Sequence, residues 1–125
     1  MRIQTTSNGI YEQIADYGME QILAGEWLDG ERIPSVRQLA AEIGVNPNTV
    51  MSAYDRLKEQ AIISTVRGRG FFVAEGGKAA AVALRRTEFI RQQIPSIRRN
   101  LSLLGISVDE LSYLLTLPTF NDESV

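Results

Sequence analysis

Apolar residues recur at helical spacing in three stretches of the first half of the chain. Across residues 8–25, Ile10, Ile14, Tyr17 and Ile22 share one face with Gly18, while Asp and Glu occupy the other. Ser7 or Asn8 stands where a cap belongs, and Gly25 where the helix should stop. Residues 26–34 then form a turn-rich connector around Asp29-Gly30, with Trp27, Leu28 and Ile33 expected to plug the core. Ser35-Val36-Arg37-Gln38 has the form of a capping box, so a helix should begin at Val36. Its stripe is Val36, Leu39, Ala40 and Ile43, and Gly44 ends it. Asn46-Pro47 opens the next helix at once, and Val50, Ala53, Tyr54 and Leu57 repeat the same spacing. Two short helices joined by Gly44-Val45-Asn46 predict a helix-turn-helix.

The pattern then changes period. Residues 61–66 and 71–74 are β-prone and flank Arg67-Gly68-Arg69-Gly70, which predicts a hairpin with a basic, glycine-rich tip. Gly76-Gly77 reads as a flexible joint. Residues 78–104 return to a helical pattern, and Ile90, Ile94, Ile97, Leu101 and Leu104 make an a/d seam. Pro95 lies inside that seam and predicts a kink or break. Gly105 ends the run, and Ser107-x-x-Glu110 opens a last helix to about Leu117, with 118–125 read as a frayed tail. The fold class expected is mainly α with a small β-hairpin. A winged helix-turn-helix domain over 1–75 precedes a helical dimerisation region over 76–125. The seam is assigned to a dimer because an apolar stripe with no further domain to cover it must be buried somewhere.

Composition narrows the function classes. Hydrophobic content of 44% and charged content of 22% suit a soluble globular chain. No apolar run approaches the roughly 20 residues that span a bilayer, and the opening residues lack an export signal. A cytoplasmic protein without a membrane partner is therefore expected. The chain has no Cys and no His, which removes thiol nucleophiles, thiolate metal sites and the commonest general base and metal ligand. No catalytic residue, metal site or cofactor is expected. Asp29/Glu31 and Asp109/Glu110 are explained by a turn and a helix start rather than by acid–base work. Net charge does not announce nucleic acid. Residues 1–75 hold seven Lys+Arg against ten Asp+Glu, and residues 76–125 hold six against five. Binding to DNA must then depend on where the arginines stand.

Six positions stand out as candidate contacts with DNA. Asn48, Thr49 and Ser52 are short hydrogen-bonding side chains near the outward start of the third helix, where base edges would be met. Met51 beside them could touch a thymine methyl. The plain alternative gives Asn48 and Thr49 to first-turn backbone amides. Arg37 occupies a first turn, where a cation is unfavourable to the helix dipole, and so suggests a phosphate or base contact. Arg67 and Arg69 flank Gly68 at the hairpin tip, where arginine can enter a narrow minor groove. Tyr54 is assigned to the core. Arg85, Arg86, Arg91, Arg98 and Arg99 read as a solvated face, as partners for the acidic first helix of a second copy, or as further phosphate contacts.

The runs Arg32-Ile33-Pro34-Ser35-Val36-Arg37-Gln38-Leu39-Ala40, Gly44-Val45-Asn46-Pro47-Asn48-Thr49-Val50 and Arg67-Gly68-Arg69-Gly70-Phe71-Phe72-Val73 resemble the GntR family of bacterial regulators. Tyr11-Glu12-Gln13-Ile14 and Gly25-Glu26 fit the family's first helix, so the likeness spans roughly residues 8–74. Leu104-Gly105-Ile106-Ser107 before a final helix resembles the YtrA-type subfamily, which carries a short helical tail. The resemblance implies a homodimeric repressor on an inverted-repeat operator in double-stranded DNA. The third helix would lie in the major groove and the wing tip in the minor groove. It implies DNA contacts from Arg37, Asn48, Thr49, Ser52, Arg67, Gly68 and Arg69, and leaves a small-molecule effector open. Pro47 and Met51 stand where many members carry basic residues, and Ala61 where a glycine is usual. The competing expectation is a winged-helix module that binds protein, which would leave Arg37 and the hairpin tip without a task.

Overall fold

In a computed structural model, residues 9–118 are described. Backbone contacts divide the chain into two units, one up to Arg85 and one from Arg86. In the first unit, α1 (Ile10–Leu23), α2 (Val36–Ile43) and α3 (Pro47–Glu59) surround a core closed by β1 (Ile63–Val66) and β2 (Gly70–Val73). The three helices form where local signals specify them. Ser35 accepts the Gln38 N–H at 3.1 Å while the Gln38 side chain accepts the Ser35 N–H at 2.9 Å, a complete capping box. Asn46 accepts the Asn48 N–H at 2.8 Å, and Pro47 starts α3 at no cost in hydrogen bonds. Ser7 and Asn8 lie outside the described residues, and Gly9 holds the cap position of α1 without a side chain.

Packing follows the predicted stripes on α2 and α3 and shifts on α1. Val50, Ala53, Tyr54 and Leu57 are all buried, as are Leu39 and Ala40, with Val36 and Ile43 packed against them. On α1 the buried set is Ile14, Ala15, Gly18, Met19 and Ile22, with Tyr17 beside the core, whereas Ile10 at the exposed first turn is 47% accessible. Ile33 and Trp27 plug the core as expected, but Leu28 is 52% exposed. The Leu28 N–H is tied to the Glu31 carboxylate at 2.9 Å in a tight turn that carries the side chain outward.

The hairpin is antiparallel, in register Ile63↔Val73 to Val66↔Gly70. Its end is a four-residue turn in which the Arg69 N–H donates to the Val66 carbonyl at 2.8 Å, and Gly68 supplies the positive φ of 77° that the turn requires. The connector before α2 runs along β2 as a short third strand. The Ile33 N–H donates to the Phe71 carbonyl and the Val73 N–H to the Glu31 carbonyl, both at 2.9 Å, around an Arg32↔Phe72 bridge.

The turn from α3 into β1 carries a strained residue. Ala61 has φ 61°, the only positive φ outside glycine among the described residues. The Ala61 N–H donates to the Lys58 carbonyl and the Ile62 N–H to the Leu57 carbonyl, both at 3.0 Å, which is a Schellman ending. That ending wants glycine, and Ala61 is exposed, so its methyl gains little from packing. Ala61→Gly is expected to raise stability by roughly 0.5–1 kcal/mol. Thermal melting checks this; an unchanged or lower Tm would mean that the strain is relieved elsewhere.

Gly76 and Gly77 form a packed corner rather than the expected flexible joint. The Asp29 carboxylate accepts the Gly76 and Lys78 N–H groups, both at 3.1 Å, and holds the start of α4 (Gly77–Glu88). A Cβ on Gly77 would run into the Ile62 carbonyl, so the glycine is there for close approach rather than for freedom. Beyond it, Ala81 is fully buried and Ala80 and Leu84 pack on the core. The first unit thus extends past the boundary read at 75/76.

In the second unit a π-helical turn, Phe89–Gln93, leads into α5 (Ile94–Leu104), and α6 (Val108–Leu114) follows. The Ile94 N–H donates to the Phe89 carbonyl, five residues back. This widened turn stands directly before Pro95, whose ring would clash with the carbonyl four residues earlier in a regular helix. The break expected at Pro95 therefore takes the form of a π turn. Ser107 accepts the Glu110 N–H at 3.0 Å at the start of α6. Most of the tail read as frayed lies outside the described residues.

Candidate nucleic-acid interface

The start of α3 is capped from outside its own outward face. Because Asn46 takes the Asn48 N–H, the side chain of Asn48 is left without a hydrogen bond among the described residues, and neither it nor Thr49 caps the helix. Asn48 and Ser52 are exposed and Thr49 is half-buried. The Ser52 hydroxyl donates to the Asn48 carbonyl at 3.1 Å, which leaves its oxygen free to accept. These three side chains share a shallow groove with Ile10 and Tyr11 of α1. Tyr11 continues into a neighbouring depression with Ser52, Asp55, Arg56 and Glu59. Nothing in the apolar pattern marks Tyr11 as part of this groove, because it sits beside the core stripe rather than on it.

Charge around the helix starts is unusual for a net-acidic segment. The first turns of α2 and α3 hold no acid, and their caps, Ser35 and Asn46, are neutral. The partial positive charge of both helix ends is thus left unneutralised by those turns. Arg37 is exposed in the first turn of α2 and has no ion pair among the described residues. Arg67, Gly68 and Arg69 are exposed at the hairpin tip, again with no acidic partner among the described residues. Acid is concentrated elsewhere, as with Glu12, Asp16 and Glu20 on α1.

Tyr54 lies in the core as expected, whereas Arg85 finds its acid within the same chain. The Tyr54 hydroxyl donates to the Pro34 carbonyl at 2.7 Å, and its ring meets Phe71 edge-on at 4.9 Å. Burial, with Tyr17 and Glu42 nearby, pushes its pKa upward, so the phenol stays a neutral donor that ties α3 to the start of α2. Arg85 pairs with Asp16 of α1 in the same chain at 3.3 Å, and its Nε lies 2.9 Å from the Met19 sulfur. Among the described residues no cluster of Asp, Glu, His or Cys could hold a metal ion, and no helix is long and apolar enough to cross a membrane.

In the second unit no residue of α5 or α6 is buried. Ile94, Ile97 and Leu101 are half-buried, while Ile90 and Leu104 are 54% and 71% exposed. Phe89, Leu103, Val108, Tyr113, Leu114 and Leu115 add to this open apolar surface.

Three short helices, a basic-tipped hairpin and an acid-free start to the third helix describe a winged helix-turn-helix, and its likeness to known proteins is specific. A family model of bacterial regulatory proteins, the gntR family, matches residues 10–73, just over half of the chain. The chain belongs to the GntR family. It is a transcriptional regulator with a DNA-binding winged-helix domain, and the family's members act on transcription rather than as enzymes. The HTH-type transcriptional repressor YtrA of Bacillus subtilis strain 168 is 38% identical over 106 residues, which cover 85% of this chain and 81% of YtrA. A GntR-family regulator of Bacteroides thetaiotaomicron, solved as a crystal structure, is 42% identical at a TM-score of 0.72, covering 86% of this chain and 93% of that one. The DNA-binding domain of AraR, crystallised with its operator ORX1, is 27% identical at a TM-score of 0.55 and covers 59% of this chain and 93% of that one. The GntR resemblance read from residues 8–74 is thus the family itself, and the alignment with YtrA extends beyond the winged domain.

Proposed function

We propose that this GntR-family chain is a repressor that binds, as a homodimer, an inverted-repeat operator. In this reading α3 lies in the major groove, the hairpin tip enters the minor groove and Arg37 meets the phosphate backbone. The observation that carries it is the start of α3, where Asn46 and Pro47 take over capping and leave Asn48, Thr49 and Ser52 for base edges. AraR, which shares the winged domain, is known with its operator, and YtrA is named a repressor; both support the assignment. The open apolar surface of α5 and α6 supports a second copy as the cover for the seam.

Short polar side chains at a helix start discriminate between bases by about 1–3 kcal/mol for each good contact. Thr49→Ala is therefore expected to relax base preference at one position in each half-site while leaving affinity for mixed-sequence duplex nearly unchanged. Binding to a selected operator and to its single-base variants measures this. An unaltered preference profile in Thr49→Ala, and also in Asn48→Ala, would contradict placement of α3 in the major groove.

A further inference from the structure

Arg32 stands on the connector strand, and the backbone on both sides of it is tied to β2 by the Val73–Glu31 and Ile33–Phe71 hydrogen bonds. Its main chain is therefore fixed relative to the hairpin, although the residue itself is exposed. The side chain reaches toward the tip end of β2. A Cβ on Gly70 would lie 3.4 Å from the Arg32 Nε, 3.5 Å from Nη2 and 3.8 Å from Cζ. Nε and Nη2 are nearer than the carbon that joins them, so the donor edge of the guanidinium faces the space that the glycine leaves open. Gly70 has φ 110°, a conformation that side chains rarely adopt, so this space is kept clear by backbone geometry as well.

That edge is unsatisfied. Among the described residues Arg32 makes no side-chain hydrogen bond and no ion pair. A guanidinium that is positioned by a strand yet left with two parallel donors free matches an anion with two acceptor oxygens. Carboxylates within the chain could have met this need. Glu31 next to it instead accepts from Leu28 N–H, and Asp29 is committed to the start of α4. The hairpin tip that carries Arg67 and Arg69 ends one residue before Gly70.

We propose that Arg32 is a third cationic contact of the wing. Its Nε/Nη2 edge takes a backbone phosphate of the duplex whose groove the Arg67–Arg69 tip enters, and Gly70 keeps the approach open. The proposal rests on the reading that the wing meets DNA. It adds a contact that carries affinity without base preference, because phosphates hold no sequence information.

Arg32→Gln tests it, with fluorescence anisotropy on a selected operator duplex and on a mixed-sequence duplex across a salt series. Affinity is expected to fall several-fold on both duplexes alike, and the slope of log K against log salt to become shallower by about one. A scan of single methylphosphonate substitutions in the operator separates a lost contact from a weakened hairpin. One phosphate in each half-site should matter to the wild type and make no difference to the variant. Wild-type affinity and slope in Arg32→Gln, or no phosphate whose effect depends on Arg32, would overturn the proposal while leaving the DNA-binding reading intact. A wild-type protein whose binding barely responds to salt would overturn both.

Discussion

Ile97→Asp is expected to convert the proposed dimer to a monomer and to weaken binding to a two-half-site operator by about 100-fold or more, with half-site affinity unchanged. The residue lies in the middle of the α5 stripe, half-buried between Ile94 and Leu101. No residue of α5 or α6 is buried, and Leu103, Leu104 and Val108 are each at least 70% exposed. A second copy that covers this surface would bury Ile97, and an aspartate there would lose its water without gaining a cation. Operator affinity then falls because the second half-site is no longer bound from an already tethered chain. Light scattering reads the first effect and anisotropy on full-site and half-site duplexes reads the second. A dimer that survives the substitution would mean that the stripe packs within one chain.

The double variant Arg67→Ala with Arg69→Ala is expected to lower affinity by about tenfold or more on every duplex and to reduce the salt slope by about two. Both side chains are exposed at a turn held by the Arg69–Val66 hydrogen bond, so their removal leaves the hairpin fold intact. A narrow minor groove concentrates negative potential, and arginine is the side chain that exploits it. The loss should be larger where the operator holds an A·T-rich step under the tip. Unchanged affinity in the double variant would exclude the wing from the interface.

These effects follow from a net-acidic segment because charge is sorted by position. Residues 1–75 carry three more acids than bases, yet the first turns of α2 and α3 carry none. Acids on α1 and in the connector serve other ends, such as the Asp16–Arg85 pair and the Asp29 clamp on α4. Bulk charge is a poor guide to DNA binding here for this reason.

What could be read from sequence was what is decided within a few residues. The Ser35–Gln38 box, the Asn46-Pro47 start and the glycine after α2 are local chemistry, and each appears as written in the chain. Features decided by distant neighbours were not readable. The connector strand exists only because β2 lies beside it, and nothing in Glu31-Arg32-Ile33 alternates strongly enough to announce a strand. Gly76-Gly77 has the composition of a hinge, and only the Ile62 carbonyl and the Asp29 carboxylate turn it into a fixed corner. Leu28 and Ile10 look like core residues by type but are turned out by a tight turn and by a helix start. Pro95 announced a break, but the π turn depends on how the chain before it relaxes. The groove shared by Tyr11 with Asn48, Thr49 and Ser52 joins two helices far apart in sequence, so it too needed the fold.

In-vitro selection from random duplex DNA, followed by a salt titration on the recovered site, tests the central claim most directly. A dimeric operator-binding regulator should enrich an inverted repeat with half-sites about one helical turn apart, and bind it with a steep salt slope and two chains per duplex. No enriched sequence, with weak binding at every salt concentration, would contradict the account.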